Sequence, residues 1–254
     1  MDRIHTAENI NREWFRGKPF ADYGFDPEFA ELAGRFLCGD IIPGGTLTNV
    51  QKALVTLAAL TAAQTIKPLC RYVLSALDVG ASPEEIKETM YQCAPYIGIE
   101  KVQCALDEAN KAFEEADISC HLPVQATVTE QSRYEKGLAV QQAIFGAENI
   151  DSMRASAPQE LQHIQSYLSA YCFGDFYTKG TLNLKMRELI TFCVICSLGG
   201  CEPQARVHAG ANLSVGNARQ TLIDAVTQCL PFIGFPRTLN ALSCIEQACK
   251  AAQL

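Results

Sequence analysis

Two stretches of this sequence, CGDIIPGGTL (residues 38–47) and FGDFYTKGTL (173–182), are versions of one segment, 135 residues apart. Both place Gly-Asp near the start and Gly-Thr-Leu at the end. A second pair, YQCAPYIGIEKVQCAL (91–106) and TQCLPFIGFPRTLNAL (227–242), is 136 residues apart. Self-similarity at a fixed spacing is typical of a duplicated structural unit. The chain is therefore predicted to hold two copies of one unit.

Each copy has the sequence pattern of packed helices. Residues 47–64 are a long run of helix-forming residues without proline or glycine. Residues 81–98 begin with Ser82 as a predicted N-cap and Pro83 at the first helical position. That helix, and its partner in residues 216–234, is expected to end at the Pro-aromatic-Ile-Gly sequence.

No stretch alternates apolar and polar residues as a strand would, so the predicted fold class is all-α, a tandem duplicated helical bundle. The first repeat is assigned to residues 1–117 and the second to residues 131–254. Residues 118–130 lack helical periodicity and form the predicted linker.

Composition excludes several classes of protein. The formal net charge is -7, so a basic surface for nucleic acid is not expected. The first residues lack the apolar core of a secretory signal, and the longest apolar stretch, residues 189–200, is too short to span a membrane. We expect a soluble, cytoplasmic protein without a membrane or nucleic-acid partner. Without a phosphate-binding loop, a dinucleotide fingerprint or a metal-ligand cluster, no cofactor is expected.

The chemistry-bearing residues concentrate in GGCEPQARVH (199–208). Pro203 indicates where a helix begins, which places Cys201 one or two residues before it, where the helix dipole favours a thiolate. His208 follows seven residues later, on almost the same helical face but about 10 Å further along. The twelve cysteines otherwise sit mostly in apolar helical contexts, where they are expected to act as small buried hydrophobes.

An acidic residue, Glu188, lies near the start of the preceding predicted helix, KMRELITFCVICSL (185–198). Glu188 could serve a reaction, or it could simply be an acid stabilised in a first helical turn. His208 could likewise be a reactive imidazole or a core imidazole bonded to a carbonyl. The residues alone leave both alternatives open.

The chain resembles the carboxymuconolactone decarboxylase family, which is related to the alkylhydroperoxidase D-like proteins. The resemblance covers both repeats and rests on four ordered blocks of the second: residues 133–151, 170–190, 208–216 and 230–242. It implies an alkylhydroperoxidase D-like helical bundle that acts on a small-molecule substrate. It also implies subunits that associate into a homo-oligomer, with a trimer favoured.

The resemblance assigns roles to individual residues. The family's active-site glutamate and histidine correspond to Glu188 and His208. In the peroxidase branch a C-x-x-C pair precedes the histidine, and here those positions hold Cys201 and Gln204, so a local dithiol is not encoded.

Four further positions are expected to contact substrate. By the same resemblance, Asp175 and Tyr177, in FGDFYTKG, would line the cavity of a decarboxylase. Arg187 would hold a substrate carboxylate through paired hydrogen bonds, and Gln204 is the fourth candidate.

The first copy lacks the site. Opposite Glu188, Cys201 and His208 it carries Ala53, Thr65 and Tyr72. We therefore expect one competent site per chain, in the second repeat, with the first repeat serving as scaffold and interface.

Three functions remain open from the sequence. The first is an acid–base enzyme, a decarboxylase-like protein acting on a small carboxylated or lactone metabolite through His208 and Glu188. The second is a thiol-dependent hydroperoxide reductase that uses Cys201. The third is a non-catalytic binding or assembly protein, favoured by helix geometry that offsets Glu188 and His208 by about 9 Å along a simple hairpin.

Overall fold

A computed structural model describes residues 2–253, and within that range it contains helices and no strand. The first repeat comprises α1 (Arg3–Phe15), α2 (Pro27–Gly34), α3 (Asn49–Ala62), α4 (Leu69–Asp78), α5 (Pro83–Ile97) and α6 (Ile99–Glu115). The second comprises α7 (Arg133–Phe145), α8 (Ala147–Ser156), α9 (Gln162–Tyr167), α10 (Leu184–Leu198), α11 (Glu202–Ser214) and α12 (Arg219–Ala251). Wider π-helical segments, Arg35–Ile41 and Leu168–Tyr177, continue α2 and α9. The all-α prediction is confirmed.

None of the helices in residues 2–253 combines the length and apolar character needed to cross a membrane.

The first helix of each repeat packs against the π-helical segment of the same repeat. Arg3 pairs with Asp40 in the first copy, and Arg133 pairs with Asp175 in the second. The same ion pair in both copies shows that the duplication extends to the N-terminal helix of each unit. It also gives the shared aspartate a structural task.

The crossing of α7 over its π-helical segment is so close that only glycine fits. A Cβ atom added to Gly137 would lie 2.0 Å from the carbonyl oxygen of Ser169. Real Cβ atoms do not approach the backbone this closely, so this position requires glycine, which has no Cβ atom.

The two repeats share a single core. Buried apolar residues of α3, α4, α5 and α6 form one continuous cluster with those of α10, α11 and α12. Equivalent polar contacts cross between the copies: Gln92 donates to Thr191 at 3.2 Å, and Gln228 donates to Thr56 at 3.1 Å. Each repeat therefore completes hydrogen bonds of the other.

Helix starts and the two expected helix stops agree with the sequence. Ser82 caps α5 in a capping box with Pro83 at the first position. Pro95 lies in the last turn of α5, which ends before Gly98, where φ is 95°. In the second repeat Gly234, with φ 76°, interrupts the helical backbone at the matching position of α12, and a second helical stretch follows it to Ala251. Glycine turns the backbone because it tolerates positive φ, whereas a proline near a helix end removes only one hydrogen bond.

The segment between Glu115 and Arg133 contains no helix. Its beginning contacts the first repeat, where Lys87 Nζ donates to the carbonyl of Cys120 at 2.6 Å, and its end contacts the second. The Thr127 hydroxyl donates to the carbonyl of Thr178 at 2.6 Å, and the N–H of Gly180 donates to the carbonyl of Gln125 at 3.2 Å. These contacts fix the connection against the loop that precedes α10.

Candidate active site

A glutamate–histidine pair joins the hairpin of α10 and α11. Glu188 Oε2 lies 2.8 Å from His208 Nδ1, and Glu188 Oε1 accepts a hydrogen bond from the Tyr177 hydroxyl at 2.8 Å. Glu188 is completely buried, whereas the His208 side chain keeps 12% of its surface exposed. The offset of about 9 Å expected along a simple hairpin therefore does not separate the Glu188 carboxylate from the His208 imidazole.

These contacts decide which imidazole nitrogen is available. An ionised carboxylate can only accept hydrogen bonds, so it requires Nδ1 of His208 to carry the proton. Nε2 then holds a lone pair, and no side chain or backbone group within residues 2–253 bonds it. A carboxylate that orients an imidazole in this way also stabilises the imidazolium that forms when Nε2 takes a proton.

Three hydroxyl groups extend the pair into the core. The Tyr177 hydroxyl is 2.9 Å from Thr191 Oγ1 and 3.2 Å from the hydroxyl of Tyr96, a residue of the first repeat. Burial, followed by the charge of Glu188, raises the pKa of Tyr177 well above its usual value of 10.0. Burial also raises the pKa of Tyr96. Both phenols therefore stay neutral at physiological pH, and Tyr177 remains a hydrogen-bond donor to Glu188.

Two aromatic rings hold the imidazole plane. Tyr96 and Phe145 meet the His208 ring edge-to-face, with centroid distances of 5.9 and 5.5 Å. Edge-to-face contact is a favoured arrangement for such rings, and it restricts rotation of the imidazole. Because Tyr96 comes from α5 and Phe145 from α7, both repeats contribute to the surroundings of His208.

Asn212 ties the two helices together beneath the pair. Its side-chain amide donates to the carbonyl of Glu188 at 2.9 Å and to the carbonyl of His208 at 2.8 Å. The Asn217 side-chain amide in turn donates to Oδ1 of Asn212 at 2.8 Å. This fixes the relative height of the two backbones, so Asn212 is a positioning residue.

Cys201 is the N-cap residue of α11, as the position of Pro203 predicts. It borders a cavity of only about 10 Å³ that neither Glu188 nor His208 lines. This cavity therefore does not bring the thiol together with the Glu188–His208 pair. Cys201 precedes His208 by seven positions, which corresponds to about 10 Å along the helix axis.

The expectation that Arg187 holds a substrate carboxylate is also corrected. Arg187 is completely buried and uses its guanidinium within the fold. It donates to Glu88 at 3.1 Å, to Gln92 at 3.0 Å, and to the backbone carbonyls of Leu182 and Lys179 at 3.1 and 2.9 Å. A guanidinium satisfied on every side by the protein is a structural cross-link between the repeats.

Two other expected substrate contacts lie outside the pair. Asp175 is held by Arg133, in the ion pair that the first repeat reproduces, and therefore has a structural partner. Gln204 is exposed one helical turn before His208. Tyr177, by contrast, directly contacts Glu188.

The first repeat preserves the shape of this site but not its polar groups. Ala53 and Tyr72 occupy the positions of the acid and the imidazole, and Thr65 that of the cysteine. The Tyr72 ring lies edge-to-face with Phe15 at 5.7 Å and Phe232 at 5.4 Å, just as two aromatic rings flank the histidine. The hydroxyl–acid–imidazole set is therefore confined to one of two equivalent locations.

Sequence reasoning missed four participants: Tyr96, Phe145, Thr191 and Asn212. Asn212 and Tyr96 carry a signal in the repeat comparison, because the matching positions in the other copy hold Ala76 and Phe232. Thr191 carries none, since both copies have threonine there. Phe145 is likewise matched by a phenylalanine in the first copy.

Comparison with known proteins decides the family. The sequence profile of the Carboxymuconolactone decarboxylase family matches residues 27–111 and again residues 162–247. The chain belongs to this family. The double match supports the tandem form, and the two segments fall within the repeats identified here.

Two relatives of this decarboxylase family extend the comparison. The chain is 24% identical over 123 residues to 4-carboxymuconolactone decarboxylase from Acinetobacter baylyi, which spans 91% of that protein and 48% of this chain. A solved structure from Burkholderia xenovorans, described provisionally as a gamma-carboxymuconolactone decarboxylase subunit, superposes with a TM-score of 0.54. It is 18% identical and covers 99% of both chains, so this likeness supports the fold. Neither comparison favours a thiol peroxidase.

Proposed function

We propose that this protein is a decarboxylase of a small carboxylated lactone, with His208 as the proton-transferring group and Glu188 as its orienting acid. The 2.8 Å contact between Glu188 Oε2 and His208 Nδ1 carries the proposal. The name of the Acinetobacter relative supplies the substrate class, a carboxymuconolactone.

In the proposed reaction the bond between the substrate carboxylate and its ring carbon breaks, and carbon dioxide leaves. The electron pair of that bond moves into a conjugated carbonyl of the lactone. His208 Nε2 first takes a proton from solvent, and the imidazolium then gives this proton to the electron-rich fragment, which returns His208 to its neutral form. Glu188 stabilises the imidazolium between these two transfers, and the electron count closes without an external oxidant or reductant.

Fixed surroundings are what this chemistry requires. Glu188 is held by Tyr177, the imidazole ring is held between Tyr96 and Phe145, and the α10–α11 spacing is held by Asn212. Charge stabilisation is most effective when its donors and acceptors are already oriented before reaction. A partly exposed histidine beside a buried acid supplies that arrangement.

The direct test is an assay of 4-carboxymuconolactone decarboxylation that measures the release of carbon dioxide. His208→Gln should lower kcat by roughly 100- to 10,000-fold, the usual contribution of a general acid or base. His121→Gln, at an exposed position in the connecting segment, is the matched control and should retain wild-type turnover. Unchanged kcat in His208→Gln would remove the proposed role.

Self-association into a trimer is a second part of the proposal. Val207, Phe235 and Leu239 on α11 and α12 are 53, 62 and 60% exposed. Large apolar side chains left exposed to this degree are candidates for a contact between subunits. Sedimentation at several concentrations would test this, and a monomer at all of them would reject it.

A further inference from the structure

A cavity of about 1150 Å³ lies between the first repeat and α12, beside Tyr72, at the location equivalent to that of His208. Its walls are rich in aromatic rings, including Phe15, Phe20, Tyr23, Phe25, Tyr72 and Phe232. Carboxylates such as Glu115 also line it, but without an imidazole paired to a buried acid this location cannot perform the chemistry proposed for the second repeat. Its volume is that of a site for a multi-ring small molecule.

Three hydrogen-bond donors in the wall of this cavity have no acceptor in the fold. They are Trp14 Nε1, Arg71 Nε and Ser75 Oγ, all shielded from solvent. Trp14 and Ser75 are each only 2% exposed. Arg71 and Ser75 are one turn apart on α4, so they lie on the same face of that helix. These atoms expose almost no surface to the cavity, so a ligand reaches them only after their side chains rotate toward it. A buried donor without an acceptor costs about 1–3 kcal/mol, and this cost favours such a rotation when an acceptor is present.

The donors are particular to the first repeat. The matching positions of the second repeat hold Ile144, Val207 and Ala211, which carry no side-chain donor. The three donors are therefore not remnants of the site that the second repeat retains. They form a separate set of polar groups in a location where the acid–base pair is absent.

The charge of Arg71 defines the acceptor further. Its guanidinium carbon lies 4.3 Å from the ring centroid of Tyr23 and 4.9 Å from that of Tyr72, with two more aromatic rings within 5.5 Å. No carboxylate within residues 2–253 pairs with it, whereas the nearby Arg16 is neutralised by Asp78. A cation held by aromatic faces and lacking a counter-ion favours an anionic ligand group.

We propose that this cavity binds an aromatic acid: a molecule of two or three rings that carries one carboxylate or sulfonate. The acid group accepts hydrogen bonds from the partly exposed Arg71 guanidinium and from the Ser75 hydroxyl once it rotates toward the cavity, and the rings pack among the aromatic walls. The site is a binding site without catalytic groups, distinct from the Glu188–His208 pair.

The test is a fluorescence titration of the full-length protein with 8-anilinonaphthalene-1-sulfonate, an aromatic sulfonate of suitable size. The sulfonate-free analogue N-phenyl-1-naphthylamine reports the contribution of the acid group. Wild-type protein should bind one sulfonate probe per chain, at least about tenfold more tightly than the neutral analogue.

Two variants locate the probe. Arg71→Gln should weaken sulfonate binding by about tenfold or more and leave the affinity for the neutral analogue unchanged within twofold. Ser75→Ala should weaken sulfonate binding about two- to tenfold without lowering the thermal midpoint, because the hydroxyl has no partner in the fold. Arg206→Gln, which alters an exposed arginine on α11, is the matched control and should bind as wild type does.

Several results would overturn the proposal. Equal affinity of wild type, Arg71→Gln and Ser75→Ala for the sulfonate would reject the donor set. Loss of binding in His208→Gln would place the probe in the other repeat. A stoichiometry that falls as the protein self-associates would show that a second copy covers the cavity. All these readouts are independent of decarboxylation, so the proposed enzymatic function can fail while this site stands.

Discussion

Replacing Glu188 by glutamine tests how the site prepares its histidine. The change keeps the size of the buried side chain but removes the negative charge that faces His208 Nδ1 at 2.8 Å. In the wild type the two carboxylate oxygens accept hydrogen bonds from Tyr177 and His208. In the variant one of these oxygens is replaced by an amide group that donates. Hydrogen bonds to charged groups contribute about 1.5–3 kcal/mol, so losing that assistance during imidazolium formation should lower kcat roughly 10- to 150-fold.

The assay is steady-state decarboxylation of 4-carboxymuconolactone, with kcat and KM measured separately. We expect the loss in kcat with little change in KM, because the charge stabilises a species that forms only during reaction. Glu160→Gln, at an exposed position, controls for removal of a carboxylate elsewhere. Nitrogen-15 NMR of the imidazole should show the proton on Nδ1 in the wild-type protein. Wild-type kcat in Glu188→Gln, or a proton on Nε2 in the wild type, would refute the reasoning.

Further predictions concern positioning, packing and pH. Asn212→Ala should lower kcat less than Glu188→Gln does and lower the free energy of unfolding by about 1–3 kcal/mol in chemical denaturation; an unchanged midpoint would contradict it. Gly137→Ala should lower the free energy of unfolding by about 3 kcal/mol or more, because the added Cβ atom meets backbone. Gly210→Ala, where the added Cβ atom meets open space, should raise the free energy of unfolding by about 0.5–1 kcal/mol. Similar effects of the two substitutions on the melting temperature would argue against the close crossing. Burial opposes the charge of Asp224, but hydrogen bonds from the Thr46 N–H and hydroxyl hold the pKa of this carboxyl below its usual value of 3.8. The ionised carboxylate therefore stabilises the fold above pH 3.8, and this stabilisation is lost as the pH falls through the lowered pKa. The stability advantage of wild type over Asp224→Asn should therefore shrink in urea titrations below pH 4, and a constant difference would count against this account.

Local sequence signals predicted the helical elements well because their causes are local. The Ser82 capping box depends on residues three positions apart, and the start of α11 depends on Pro203 next to Cys201. The repeat comparison also singled out Glu188 and His208, because only one copy carries them. The structure places these two residues in contact, while their catalytic role stays a prediction.

Local signals failed where residues from distant segments meet. Arg187 has the composition of a substrate clamp, yet its four partners come from α5 and from the loop before α10. Helical spacing alone could not reveal that these groups surround it. Cys201 fails for the opposite reason: it shares a helix with His208, but their separation along the axis keeps them apart.

The sequence by itself determined the duplication, the all-α class, the main helix starts and the identity of the acid and the imidazole. Those properties follow from composition, spacing and short-range backbone preferences. Only the tertiary structure decided that Tyr96 of the first repeat contacts the site of the second. It alone also revealed the aromatic-walled cavity beside Tyr72, with three side-chain donors that have no acceptor in the fold. The physical reason is that these arrangements depend on how two similar helical units interlock, which brings together residues that are far apart along the chain.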